Sequence, residues 1–190
     1  MIVKVEHLLP LARAVGAAKS LPDAARAALK LARPLTENLR ALFELDQRTP
    51  SDGLLVRILG LPLELSAAGE TELALSIARA YLFAARAELS GDIAIVLARA
   101  GRRDEALAQL DRNLSAASNP YVAEAKAGDT YRAIGELDSA EAYYRRALAI
   151  ATNDSDRTEA VLRITSFLLD LGRVADADAF VKAQRGASSG

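Results

Sequence analysis

Few residues in this chain have the chemistry for a reaction. His7 is the one histidine, so a general base or a nitrogen-ligated metal would rest on it or on carboxylates alone. Close to the N-terminus, it reads as a structural, partly exposed side chain. There is no cysteine, which excludes disulfides, thiolate metal sites and cysteine nucleophiles together. The stretch NDSDRTE at 153–159 is dense in carboxylates, but it lacks the central glycine and the correctly spaced final glutamate of a calcium loop. It reads better as a helix N-cap in a turn. Tyr143-Tyr144-Arg145-Arg146 sets aromatic faces beside guanidinium groups, the combination that stacks bases. The competing reading, which we favour, puts Tyr144 in a core and leaves both arginines in solvent. No phosphate-cradling glycine loop, dinucleotide fingerprint, HExxH or Gly-x-Ser-x-Gly elbow occurs. The sequence therefore predicts a non-catalytic protein with no metal and no cofactor.

The elements that would position any site are predicted to be helical. Ala and Leu make up more than a third of the 190 residues, and both lose little conformational entropy in a helix. β-Branched residues are sparse. Acidic and basic residues are interspersed, with a formal net charge of −1, and no basic stripe suited to a phosphate backbone is evident, so no nucleic-acid partner is expected. No apolar run approaches the length of a membrane span. The opening MIVKVEHLLPLARAVGAAKS is interrupted by Pro10 and Arg13 and reads as an amphipathic helix rather than a signal peptide. A cytoplasmic chain is expected, and the Ala- and Arg-rich usage suggests a bacterial source.

The strongest signal is a repeat. Gly101, Gly135 and Gly172 each follow a helical pattern, at spacings of 34 and 37 residues, and open similar turns: AGRRDEAL, IGELDSAE and LGRVADAD. Glycine suits the left-handed conformation that ends a helix, and Asp104 or Asp138 is placed to cap or charge-stabilise the next one. Around Gly135 the helical stripes run Ala127, Gly128, Tyr131, Ile134 and then Leu137, Ala140, Tyr144, Ala147, Leu148. Gly128 and Ala140 would allow two antiparallel helices to approach, Tyr131 and Tyr144 would fill wider gaps, and Ala147 would receive the next hairpin. A lone hairpin cannot bury both faces, so it must stack.

This pattern resembles the tetratricopeptide repeat, a 34-residue helix–turn–helix unit. Ala127-Gly128 and Tyr131 stand at the family's first-helix positions, and Ala140, Tyr144 and Ala147 at its second-helix positions. Glu124 replaces the family's early Trp and Thr152 its closing Pro. The resemblance is clear over 87–185, although Asn113 and Thr165 stand where small residues are usual. It is weak over 54–86, where Gly69 lies 32 residues before Gly101 and Pro62 interrupts the first helix. The predicted fold is all-α, a right-handed α-α superhelix of helical hairpins. N-terminal amphipathic helices over 1–53 pack on the array, a degenerate hairpin fills 54–86, three hairpins fill 87–185, and 186–190 is a frayed tail. Two helices are expected in the N-terminal region, at 20–32 behind a Ser20…Asp23 box and at 36–48.

The resemblance implies a groove lined by the first helices of successive hairpins, occupied by a peptide or helix of a partner protein. By register the partner-binding candidates are Ile95, Arg99, Asp129, Arg132, Leu162, Ser166 and Leu169. Arg99 and Arg132 would grip carboxylates, and the apolar members would form pockets. Asp129 together with Glu88 and Asp92 argues against the chaperone-tail clamp found in part of the family. The helix at 174–184 leaves Val174, Phe180 and Val181 open, predicting either a homodimer through the C-terminal edge or cover by the N-terminal helices. The leading function is a protein–protein interaction scaffold. Its rivals are a regulatory or sensor module that changes assembly state on binding a peptide, an enzyme accessory domain, and an RNA-binding repeat.

Overall fold

A computed structural model describes residues 13–32 other than 16, then 54–84 and 90–187. His7, Glu88 and the helix expected at 36–48 lie outside the described residues. Within them every regular element is an α-helix and no strand occurs. We number the helices α1 (Leu21–Ala32), α2 (Leu54–Ala67), α3 (Thr71–Ala84), α4 (Ser90–Arg99), α5 (Arg103–Ser115), α6 (Pro120–Ile134), α7 (Leu137–Ile150), α8 (Asp154–Asp170) and α9 (Val174–Ala187). The chain divides into two compact units, Met1–Ala116 and Ala117–Gly190.

The pairs α2–α3, α4–α5, α6–α7 and α8–α9 are each joined by one turn built the same way. Gly69, Gly101, Gly135 and Gly172 all have positive φ, 82°, 73°, 89° and 71°. At Gly135 the Glu136 amide donates to the Tyr131 carbonyl at 3.0 Å and the Gly135 amide to Arg132 at 3.1 Å. At Gly172 the Arg173 amide reaches Leu168 and the Gly172 amide Leu169, both at 2.9 Å. This doubled bond satisfies carbonyls that the helix end would leave open. The expected aspartate caps are differently placed. Arg102 and Glu136 occupy the N-caps with no side-chain bond, and Asp104 and Asp138 lie inside the first turn, where they act through charge on the helix dipole.

In the first unit α1 rests on α2 and α3, and α4 packs on α2, α3 and α5. The Ser20 hydroxyl accepts the Asp23 amide at 3.4 Å, the N-cap half of a capping box, and donates to the Asp23 carboxylate at 2.8 Å. Pro62 does not break α2, which runs through it. Leu61 and Leu65 on either side are fully buried, and their burial offsets the lost hydrogen bond. On α4, Ile93 to Ala98 are all at most 6% exposed, so this helix is buried around its whole girth.

The second unit holds two apolar clusters. Tyr121, Ala125, Ala147 and Ala160 form one, with Leu148 against it. Ala140, Tyr144, Ile164, Phe167, Leu168 and Ala177 form the other, with Tyr131, Leu148 and Phe180 alongside. Gly128 is needed for the Tyr144 ring, because a Cβ there would overlap that ring directly. Ala140 packs with Tyr144 and with the side chains of Ile164, Phe167, Leu168 and Ala177 on α8 and α9. Ala147 meets Ala160 of the next hairpin, as its size predicts. The expected cap at 153 is present: Asn153 accepts the Asp156 amide at 2.9 Å and donates to its carboxylate at 2.8 Å. The helical part of α9 reaches Ala187, so the segment expected to fray from 186 begins as helix.

Candidate partner-binding face

Asp129 sits on α6 one residue after Gly128, half-buried. It accepts the Tyr144 hydroxyl at 2.8 Å and the Arg163 guanidinium at 2.6 Å. Arg163, on α8, also reaches Glu159 one turn away at 2.6 Å. Burial works against the Arg163 charge, but Asp129 and Glu159 outweigh it and the pKa rises. The Tyr144 pKa is raised first by burial and then by the neighbouring Asp129 charge. One carboxylate thus ties together α6, α7 and α8. Farther along the same two first helices, Arg132 is paired with Asp170.

Arg132 therefore holds a carboxylate of its own chain, and a partner's carboxylate would have to compete for it. Charge on the α6–α8 face is largely neutralised internally. What stays open is a row on α8: Leu162 at 61% exposed, Ser166, and Leu169 at 48%. Spacings of four and three residues put them on one side of the helix.

The first-unit candidates fare differently. Ile95 is 2% exposed and offers no side chain to a partner, because α4 is enclosed on every side; the expectation of an apolar pocket there is corrected. Arg99 is exposed, and its guanidinium donates to the Leu63 carbonyl of α2 at 3.1 Å. Arg163 and Asp170 were not singled out in the sequence. The Glu159–Arg163 spacing of four hinted at an ion pair, but the bonds to Asp129 and Arg132 span repeats and follow only from stacking.

The tyrosine–arginine stretch is occupied. Tyr144 is 2% exposed and meets Phe167 edge-on at 5.5 Å. Tyr143 stacks on Tyr131 at 5.1 Å between centroids, and the Arg146 guanidinium lies over the Tyr143 ring at 3.7 Å from its centroid. Arg146 also reaches Glu124 at 3.1 Å, and Arg145 bonds Glu141 at 2.7 Å. Neither arginine is merely solvated, and both Tyr143 and Tyr144 have their rings engaged within the protein.

A family model described as Tetratrico peptide repeat matches residues 120–189. Over this segment the chain is similar to the tetratricopeptide-repeat family. The match spans α6 to α9 of the second unit, where the glycine turns, Gly128–Tyr144 packing and small alanines were just described. Tetratricopeptide repeats are protein–protein interaction modules. No curated protein matches the chain. Among the described residues, no cluster of His, Cys, Asp and Glu is arranged to hold a metal, and no helix is long and apolar enough to cross a membrane.

Proposed function

We propose that the protein is a non-catalytic interaction scaffold and that the face shared by α6 and α8 binds a peptide or helix of a partner protein. The observation that carries this reading is the exposed Leu162–Ser166–Leu169 row beside charges already paired within the chain. Exposed leucines on a preorganised helix supply apolar anchors. The Asp129–Arg163 and Arg132–Asp170 pairs fix α8 against α6, so a ligand meets a surface that needs little ordering. Asp129 and Arg132 act mainly as the rigid border of the site, and Leu162, Ser166 and Leu169 as its contact row. Arg99 belongs to the same proposal as an exposed cation of the first unit. The right-handed superhelical stacking expected of such hairpins is also part of it.

The test is selection of a displayed peptide library on the full chain, followed by titration of the enriched peptides against Leu169→Asp and Ser166→Arg. Peptides held by the original chain should weaken about tenfold or more with either variant. Enriched peptides that bind both variants unchanged would remove this face from the reading.

A further inference from the structure

A cavity of about 700 Å³ opens between α3 and α5, lined in part by Arg79 of α3, Ile93 and Leu97 of α4, and Gln109 and Arg112 of α5. Its volume suits a small ligand. Through the gap it touches α4 at Ile93 and Leu97, each still only 4% exposed. The second unit shows how the chain itself fills such a cleft. Counted from the turn glycines, Gly69 with Gly135 and Gly101 with Gly172, Arg79 corresponds to Arg145, Ile93 to Ile164, Leu97 to Leu168 and Gln109 to Phe180. There the Phe180 ring packs on the cluster that contains Ile164 and Leu168. The Arg145 guanidinium lies over that ring, at 5.8 Å from its centroid.

Three exchanges set the first unit's cleft apart. Gln109 replaces the phenylalanine, and its amide turns along its own helix, accepting from Arg112 at 2.8 Å and donating to Asn113 at 2.8 Å. Leu75 stands at the place of Glu141, the carboxylate that Arg145 bonds at 2.7 Å, so Arg79 has no acid one turn before it on α3. Arg112 stands where the second unit has Ala183. Glu105 is the one carboxylate lining the cavity, and Arg102 already bonds it twice, at 2.7 and 2.6 Å. Arg79 acts on it through charge alone. Two guanidinium groups therefore line a cleft whose single carboxylate a third one holds, over the same apolar pair that seats a ring in the second unit.

We propose that the cavity between α3 and α5 is a binding site for an aromatic carboxylate. The ring takes the position that Phe180 has in the second unit, against Ile93 and Leu97 and beneath Arg79, whose guanidinium attracts the ring face. The carboxylate bonds Arg112 in two-point fashion, and Gln109 holds that guanidinium in place. The site lies wholly in the first unit and shares no residue with the α6–α8 face.

The probe is hydrocinnamate, titrated into the full chain by calorimetry, and saturable binding is expected. Hydrocinnamide keeps the ring without the charge and acetate the charge without the ring; each should bind about tenfold more weakly or worse. Arg112→Ala and Gln109→Phe each bring in the residue of the second unit's cleft, and each should weaken hydrocinnamate about tenfold or more. Arg112 is exposed, so its variant keeps the test valid if Gln109→Phe disturbs folding, which circular dichroism would reveal. A short glycine–serine peptide ending in phenylalanine with a free carboxylate distinguishes the source. Binding of hydrocinnamate alone assigns the site to a free acid, and binding of the peptide assigns it to the C-terminus of a polypeptide. Absence of saturation by either probe up to about 10 mM, binding indifferent to Arg112→Ala, or equal binding of the amide overturns the proposal.

Discussion

Gly128 and Tyr144 show how one residue type can decide a packing arrangement. The ring of Tyr144 occupies the space where a Cβ at position 128 would be, in an interior too dense to yield cheaply. Gly128→Ala should therefore destabilise the chain by about 1–3 kcal/mol, seen as a lower urea midpoint with an unchanged slope. The same substitution at Gly186, where an added Cβ meets nothing, should be neutral or slightly stabilising. Equal effects at the two sites would show that helix propensity rather than the ring sets the outcome. Thr165 occurs at the glycine position of the next hairpin, where Val181 replaces the tyrosine; the smaller partner leaves room for a side chain. Glu141 is a second decisive residue. Burial alone would raise its pKa, but hydrogen bonds from Arg145 and Arg173 bring it below the usual carboxylate value. A depressed carboxylate stabilises the fold above its unfolded pKa and loses that contribution as pH falls through the folded one. Glu141→Gln should cost about 0.5–1 kcal/mol at neutral pH, since both arginine partners are half-exposed. The difference should close below about pH 4, and urea titrations across that range would follow it.

At the scale of the helix, turn chemistry was the most legible feature. Each glycine at the end of a first helix has the positive φ that its position between an apolar stripe and a polar turn implied, because that end geometry depends on a few adjacent residues. Caps at Ser20 and Asn153 were legible for the same reason. What local pattern could not show was which side of a helix another element covers. Phe180 was expected to lie open, yet it packs on the second cluster with Arg145 of α7 at 5.8 Å from its ring centroid. Val174 does stay open, at 62% exposed. Ile95 looked like a surface residue on a first helix, but α4 is enclosed by α2, α3 and α5. Ala140 illustrates the same limit: its smallness was legible, and the α8 and α9 side chains it packs against were not. Ala140 is 0% exposed among Ile164, Phe167 and Ala177, so Ala140→Leu should overpack the junction of α7 with α8 and α9. The expected loss is about 1–3 kcal/mol, and an unchanged melting temperature would contradict this placement.

Across the whole molecule, the repeat grammar reaches farther than the family match. The four doubled glycine turns extend from Gly69 to Gly172, whereas the matched residues are 120–189. Among the described residues of the first unit, the core of α2 to α4 includes Leu61, Leu65, Leu75, Ile77, Ile93 and Leu97, whereas the second unit builds its core around the Tyr144 ring on Gly128. Each unit has its own core, and in a repeat protein stability is a sum over units and their neighbours, so damage is first felt where it is made. Amide hydrogen exchange on Ala140→Leu should then show faster exchange in α6 to α9, at the slowest-exchanging amides, with those of α1 to α5 unchanged. A uniform acceleration through both units would mean that the chain opens as one cooperative body. In that case the α6–α8 face could not be altered independently of the first unit, and a ligand there would stabilise α2 and α4 as strongly as the helices it touches.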